Sequence, residues 1–245
     1  MYLSDIKASL LIMLTLVSYV PTSYASVTML GTRIIYKEDK RSEDIRFFSS
    51  DNVPSIISLW INKNPYSSQG DNSPFVVTPA VFKIDPGKGQ SARLMFTGAS
   101  MPKDRESLFY FNFVQLPASD KNANKLLVSY KSTVKLIYRP AALNYDIDKV
   151  RNYLKADISN AVQGQITIKN DSPFYVTLTR FTIFNNDKVL ANNSEKNLNM
   201  LSPFSSNVYK IKPQRVPAGT VIQVKLINDL GGLSTYKISD YDKNN

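Results

Sequence analysis

The sequence of 245 residues contains no cysteine and no histidine, and only nine glycines. Without those side chains it cannot build a Cys or His zinc site, a haem-ligating histidine, a cysteine nucleophile or a Ser-His-Asp triad. The glycines form neither a dinucleotide fingerprint nor a phosphate-binding loop. A carboxylate-only metal site or a Ser-Lys dyad stays open but has no motif. An enzyme is therefore the weaker hypothesis, and no catalytic residue, cofactor or metal is predicted.

Long hydrophobic runs are also scarce, and the clearest one lies near the N-terminus. Eleven mostly apolar residues, 10–20, follow Lys7 and precede the small residues Ser23 and Ala25. This pattern predicts a signal peptide over residues 1–25. An uncleaved anchor is the alternative, but the run is shorter than the roughly 20 residues that span a bilayer. A cysteine-free exported chain of this size can bury a core without disulfides, which fits a bacterial periplasm and predicts no membrane insertion after cleavage.

The charged residues are unbalanced, with 30 Lys and Arg against 20 Asp and Glu, a formal net charge of +10. This excess permits a nucleic-acid binder. The basic residues are nevertheless scattered along the chain, and export would remove the natural partner. The sequence therefore predicts no nucleic-acid partner.

Short apolar runs separated by Pro and Gly turns indicate strands. The first series of runs covers residues 27–36, 55–61, 91–97, 108–116 and 126–138. Pro140 cannot donate to a strand ladder, so the last run should end there. A second series then covers residues 165–169, 175–184, 208–211 and 221–227, with one helical turn expected at 146–154. The spacing predicts two β-sandwich domains, 26–139 and 143–240, joined by a tight elbow at 140–142.

The longest run, residues 124–138, would make a strand of about 50 Å at 3.3 Å per residue. Proteins normally shield a long apolar edge strand, because it can pair with another chain. An exposed strand of this kind predicts a partner that pairs with it. A central strand with both faces buried is the open alternative.

Two motifs in and before this run resemble a known family. Residues 104–112 read DRESLFYFN and residues 134–142 read VKLIYRPAA. Together with Thr32-Arg33, Trp60, 74–79 (PFVVTP), 170–177 (NDSPFYVT) and 227–229 (IND), they are similar to the PapD-like periplasmic pilus chaperones. The matches run in consistent order from about residue 32 to residue 231.

The resemblance implies two immunoglobulin-like β-sandwiches set at an angle, with a cleft between them. Members of the family bind pilus subunits in the periplasm and deliver them to an outer-membrane usher. The subunit lacks its last strand, and the chaperone lends its long edge strand in its place. A second copy of the chain is another occupant for that strand, which would make a self-capping homo-oligomer.

The resemblance also implies which residues hold the subunit. Arg33 and Lys135 correspond to cleft cations that bind the subunit's C-terminal carboxylate, a group that accepts charge-assisted hydrogen bonds from both. The donor strand would present one face of alternating residues to the subunit. That face carries Leu126, Val128, Tyr130, Ser132 and Val134. The first three match the family's donor positions, although Tyr130 stands where an aliphatic residue is usual.

A buried ionic set between the domains is the last implied feature, and it corresponds to Arg93, Glu106 and Asp229. Arg105 and Arg139 flank the motifs and are interpreted as structural. The loop before the long strand, about 117–123, is short and resembles the branch of the family that builds rod-like pili.

An exported β-sandwich pilus subunit or adhesin remains the main alternative function. Such a protein would need a donor segment at its own N-terminus. Here that segment carries Thr32-Arg33, as the chaperones do.

Overall fold

The structure is a computed structural model that describes residues 27–67, 73–117, 129–186, 188–194, 198–217 and 219–240. The predicted signal peptide lies outside these ranges. So do Leu126, Val128 and residues 118–123 of the short loop. None of the helices within the described ranges is long and apolar enough to cross a membrane.

Within the described residues, the N-terminal half contains nine strands in two sheets. The strands are β1 (Val27–Met29), β2 (Arg33–Lys37), β3 (Glu43–Ser49), β4 (Ser55–Asn62), β5 (Phe75–Thr78), β6 (Val81–Ile84), β7 (Gly89–Phe96), β8 (Ser107–Pro117) and β9 (Tyr130–Arg139). One sheet has the order β1-β3-β7-β5 and the other β2-β9-β8-β4-β6. Alternate residues of each strand point inward, as the two-residue period of a strand requires. They form one aromatic-rich core that includes Tyr36, Phe75, Phe111 and Tyr138.

The run 27–36, expected as one strand, is divided between the two sheets. β1 pairs with β3, whereas β2 pairs with β9. Gly31 lies between them with a φ of 97°, a backbone conformation that a residue with a Cβ rarely adopts. The chain can therefore turn sharply at this glycine and pass from one sheet to the other.

The C-terminal half forms a second sandwich around its own core. Its strands are β10 (Leu154–Asp157), β11 (Gln165–Asn170), β12 (Thr177–Asn185), β13 (Lys188–Ser194), β14 (Ser205–Lys210), β15 (Val221–Ile227) and β16 (Leu233–Asp240). They follow the order β13-β12-β15-β16-β10-β11-β14, in which only a short parallel pairing joins β16 to β10. Both halves of this order bury residues in one core that contains Phe174, Phe181 and Leu201. The expected helical turn is a 3-10 helix, η1 (Ile147–Tyr153), and a second one is η2 (Ala161–Gln163).

The fold class predicted from the strand pattern is confirmed, because the chain forms two β-sandwich domains. Strand β9 ends at Arg139, next to Pro140. This strand positions the candidate site. Its residues 130–138 pair with β8, with Tyr130 lying opposite Gln115.

The other edge of β9 is only partly covered. β2 runs parallel to it and pairs with residues 135–139. Within the described ranges, no strand pairs with that edge over residues 130–134. The sheet switch at Gly31 accounts for this, because the chain before Arg33 belongs to the other sheet.

Candidate functional site

Two cations lie side by side where the open edge of β9 ends. Arg33 is the first residue of β2 and is in register with Lys135 of β9. Neighbouring residues in register project from the same face of a sheet. Both side chains are half-buried. The guanidinium of Arg33 donates from Nη1 to the carbonyl oxygen of Ile227 at 3.4 Å, across the domain interface.

The surroundings of these cations disfavour their charge. Burial lowers the pKa of Lys135 below its ordinary value of 10.5, and the charge of Arg33 lowers it further. Burial likewise lowers the pKa of Arg33, against the opposing charges of Asp229 and Glu106. In the described part of the chain, neither cation forms an ion pair with a carboxylate, and Nε of Arg33 is buried without a hydrogen-bond partner. The pair is thus poised to accept an external anion.

A network centred on Arg139 connects the two domains. Its Nε donates to Glu106 at 2.7 Å, and its two terminal nitrogens donate to Asp229 at 2.6 and 3.0 Å. Glu106 belongs to the N-terminal domain and is 2% exposed. Its second oxygen accepts from the backbone N–H of Tyr175 at 2.7 Å. Burial raises the pKa of Glu106, while the charge of Arg139 opposes that shift.

The prediction that Arg93 belongs to this network is wrong. Arg93 lies on β7, where it alternates with the buried residues Ala92 and Leu94 and so points away from the core. Its side chain is 63% exposed and pairs with Asp44 at 3.6 Å. Arg139, interpreted from the sequence as merely structural, takes the place that was assigned to Arg93. Arg139 follows Lys135 by four residues, so both side chains lie on the same face of β9. This spacing is the feature of the sequence that indicates Arg139 as a residue of the cleft.

The turn between β15 and β16 holds the C-terminal domain against β2. It closes through two hydrogen bonds: the backbone N–H of Asn228 donates to the carbonyl oxygen of Gly232, and the backbone N–H of Gly232 donates to Oδ1 of Asn228. Gly231 has a φ of 82°, and a Cβ there would lie 2.6 Å from Oγ1 of Thr32. Together with the bonds of Arg33 to Ile227 and of Arg139 to Asp229, this close approach joins the turn to β2 and to the end of β9.

The predicted donor residues that the structure describes lie in different environments. Tyr130 is 61% exposed, Ser132 is half-buried, and Val134 packs partly against the core of its own domain. Lys131, on the opposite face, lies 5.3 Å from the ring centroid of Trp60 and donates to the carbonyl of Ser67. Leu126 and Val128 are outside the described residues, so their role stays a prediction.

Comparison with known proteins adds a second kind of observation. Residues 26–144 match the family "Pili and flagellar-assembly chaperone, PapD N-terminal domain". Residues 150–238 match "Pili assembly chaperone PapD, C-terminal domain". The chain belongs to the PapD-like pilus-assembly chaperones.

Individual members of the PapD-like family are similar over most of the chain. The chaperone protein HifB of Haemophilus influenzae is 32% identical over 216 residues, 84% of this chain and 85% of the relative. Chaperone protein PapD of Escherichia coli is 32% identical over 212 residues, 85% of this chain and 84% of the relative. The crystal structure of the YadV chaperone superposes with a TM-score of 0.70 at 29% identity, covering 87% of this chain and 100% of that chain. The chain is therefore a pilus-assembly chaperone, and these relatives do not support the alternative of a pilus subunit or adhesin.

Proposed function

We propose that this PapD-like chaperone works in the periplasm, where it completes the fold of a pilus subunit by strand donation and delivers that subunit to an outer-membrane usher. The observation that carries the proposal is the open edge of β9 over residues 130–134. This edge ends at two half-buried cations that have no ion-pair partner in the described chain.

The proposal implies a direction for the guest strand. Its carboxyl terminus would lie at Arg33 and Lys135, which mark the C-terminal end of the open edge. A guest that pairs with residues 130–134 must then run parallel to β9. It would occupy the position that β2 holds farther along the sheet, with its last residue next to the start of β2.

Arg33 and Lys135 would together form a clamp for the carboxylate at the end of the guest strand. The guanidinium of Arg33 offers a planar fork of donors to a carboxylate, and the ammonium of Lys135 adds a second charge. Both groups are half-buried, so a carboxylate there would interact with them more strongly than at an open surface. Backbone pairing along β9 would set the register, and the carboxylate would mark the end of the guest.

Co-expression with an exported pilin-like protein tests this proposal. The chaperone should co-purify with the subunit, and Lys135→Met should abolish the capture while the protein remains folded. Lys37→Met is the matched control, because Lys37 lies on β2 and is exposed. Equal capture by the Lys135→Met variant and the control would contradict the clamp. Sedimentation of the chaperone alone tests whether a second copy caps the strand.

A further inference from the structure

A cavity of about 160 Å³ lies between the two domains, next to the clamp. Arg33 lines it, and so does Ile137, which follows Lys135 by two residues on the same face of β9. The cavity therefore borders the clamp at Arg33 and extends along β9 to Ile137, one side-chain row, about 7 Å, beyond Lys135. Ile137 is only 2% exposed although it faces away from the core of its own domain, because the C-terminal domain covers it.

The size of the cavity corresponds to one large side chain. For scale, an engineered cavity of about 150 Å³ in another protein holds one benzene molecule. A space of similar volume accepts the side chain of a leucine or a phenylalanine, whereas glycine or alanine would leave most of it unfilled.

The lining favours a neutral guest. Ile147 and Val150 of η1, with Leu226 of β15, supply apolar surface from the C-terminal domain. Three charged residues of the lining, Glu106, Arg139 and Asp229, already bind one another. A basic side chain would meet Arg33, and an acidic one would meet Asp148 as well as the network carboxylates.

We propose that this cavity binds the side chain of the last residue of the guest polypeptide and makes the chaperone selective for a large apolar C-terminal residue. This inference rests on the proposed carboxylate clamp, because only a carboxylate held at Arg33 brings the terminal side chain to the cavity. The clamp recognises the end of the chain, and the cavity recognises which residue is there.

The test uses a short fluorescent peptide of alternating Thr and Val residues, made soluble by N-terminal lysines, with the last residue varied. Peptides that end in Leu or Phe should bind at least about tenfold more tightly than those ending in Gly or Ala, given the apolar surface that they bury. Amidation of the terminus should remove the binding of every peptide. Affinity is measured by fluorescence anisotropy with the full chain.

A filled cavity provides the decisive control. Ile147→Phe should reduce the preference for Leu over Ala to less than about twofold, because the new ring occupies the space, and Leu226→Phe serves as a second filling variant. Val162→Phe is the matched control at an exposed position of η2, away from the cavity, and should preserve the preference. Circular dichroism and thermal melting verify that each variant is folded.

The outcomes separate the inference from the proposed function. Equal affinity for all free-carboxylate peptides, with loss on amidation, would overturn the cavity assignment and leave the clamp intact. A preference for Leu that survives both filling variants would also overturn it. Binding that is insensitive to amidation, or no binding by any peptide, would refute the clamp and the inference together.

Discussion

Arg139 and Arg93 carry the same charge in different surroundings. Substitution by Ala should therefore lower the free energy of unfolding by different amounts at the two positions. The side chain of Arg139 is 12% exposed and binds two carboxylates, whereas that of Arg93 is 63% exposed. Arg139→Ala should lower the free energy of unfolding by about 3–5 kcal/mol, because it leaves Glu106 buried without its cation. Arg93→Ala should cost less than about 1 kcal/mol. Urea unfolding measures both, and similar losses for the two variants would contradict the revised network.

Lys135 should lower the free energy of unfolding of the chaperone without a bound subunit, although the proposed clamp needs its charge. It lies in register with Arg33, and its pKa is lowered by burial and by that neighbour. A lysine whose pKa falls on folding destabilises the fold at every pH where it is protonated, and the penalty disappears as the pH rises through 10.5. At neutral pH, Lys135→Met should therefore raise the free energy of unfolding by up to about 1 kcal/mol.

The exposed Lys37 supplies the control for this prediction, because Lys37→Met removes a charge from the same sheet without relieving a buried one. Chemical denaturation at pH 7 and near pH 11 compares the variants. A Lys135→Met protein that is less stable than the parent at pH 7 would show that the half-buried charge contributes favourably to the fold.

At the scale of a single element, the open edge of β9 depends on Gly31. Its φ of 97° would strain any residue with a Cβ, although a Cβ there would meet only Arg33 O at an ordinary 3.7 Å. Gly31→Ala should therefore cost about 1–3 kcal/mol through backbone strain rather than through a clash. Gly89→Ala on β7 is the control, since its φ is outside that region and its Cβ contact is 3.5 Å. Equal stability losses in thermal melts would argue against strain at Gly31.

The alternation of side chains between the two faces of a strand explains which features could be predicted from the sequence and which could not. Lys135 could be placed on a strand face because the motif around it is long and regular. The run 27–36 looked continuous, because the apolar residues on each side of Gly31 fit one strand, and only the backbone shows the change of sheet. Arg93 was misassigned because its outward direction depends on which neighbours are buried, and partners as distant in sequence as Glu106 and Asp229 leave no local pattern.

At the scale of the whole molecule, the binding of a carboxylate should be linked to pH through Lys135. A carboxylate at the clamp would stabilise protonated Lys135 and raise its pKa again. Affinity for a free-carboxylate peptide should then be constant near neutral pH and fall as the pH rises through the lowered pKa of the free protein. Tyr110, which lies opposite Lys135 on β8, is a second ionisable group at this site, and burial raises its pKa above the ordinary value of 10.0.

Lys135→Arg separates these two groups. A guanidinium keeps its charge well above pH 11, so this variant should move the loss of affinity to higher pH while Tyr110 is unchanged. Anisotropy titrations from about pH 7 to pH 11 make the comparison. The same midpoint in the parent and in Lys135→Arg would assign the effect to a group other than Lys135.

The turn at Asn228 to Gly232 has a consequence for the order of events during secretion. A chain that crosses a membrane from its N-terminus, as the predicted signal implies, would deliver β2 and β9 long before this turn emerges. Until then Arg33 would lack its hydrogen bond to Ile227, and Arg139 would lack its ion pair with Asp229. The cavity would also lack the lining residues that the C-terminal domain supplies. The interdomain wall of the site would thus be complete only after nearly all of the sequence has been translocated.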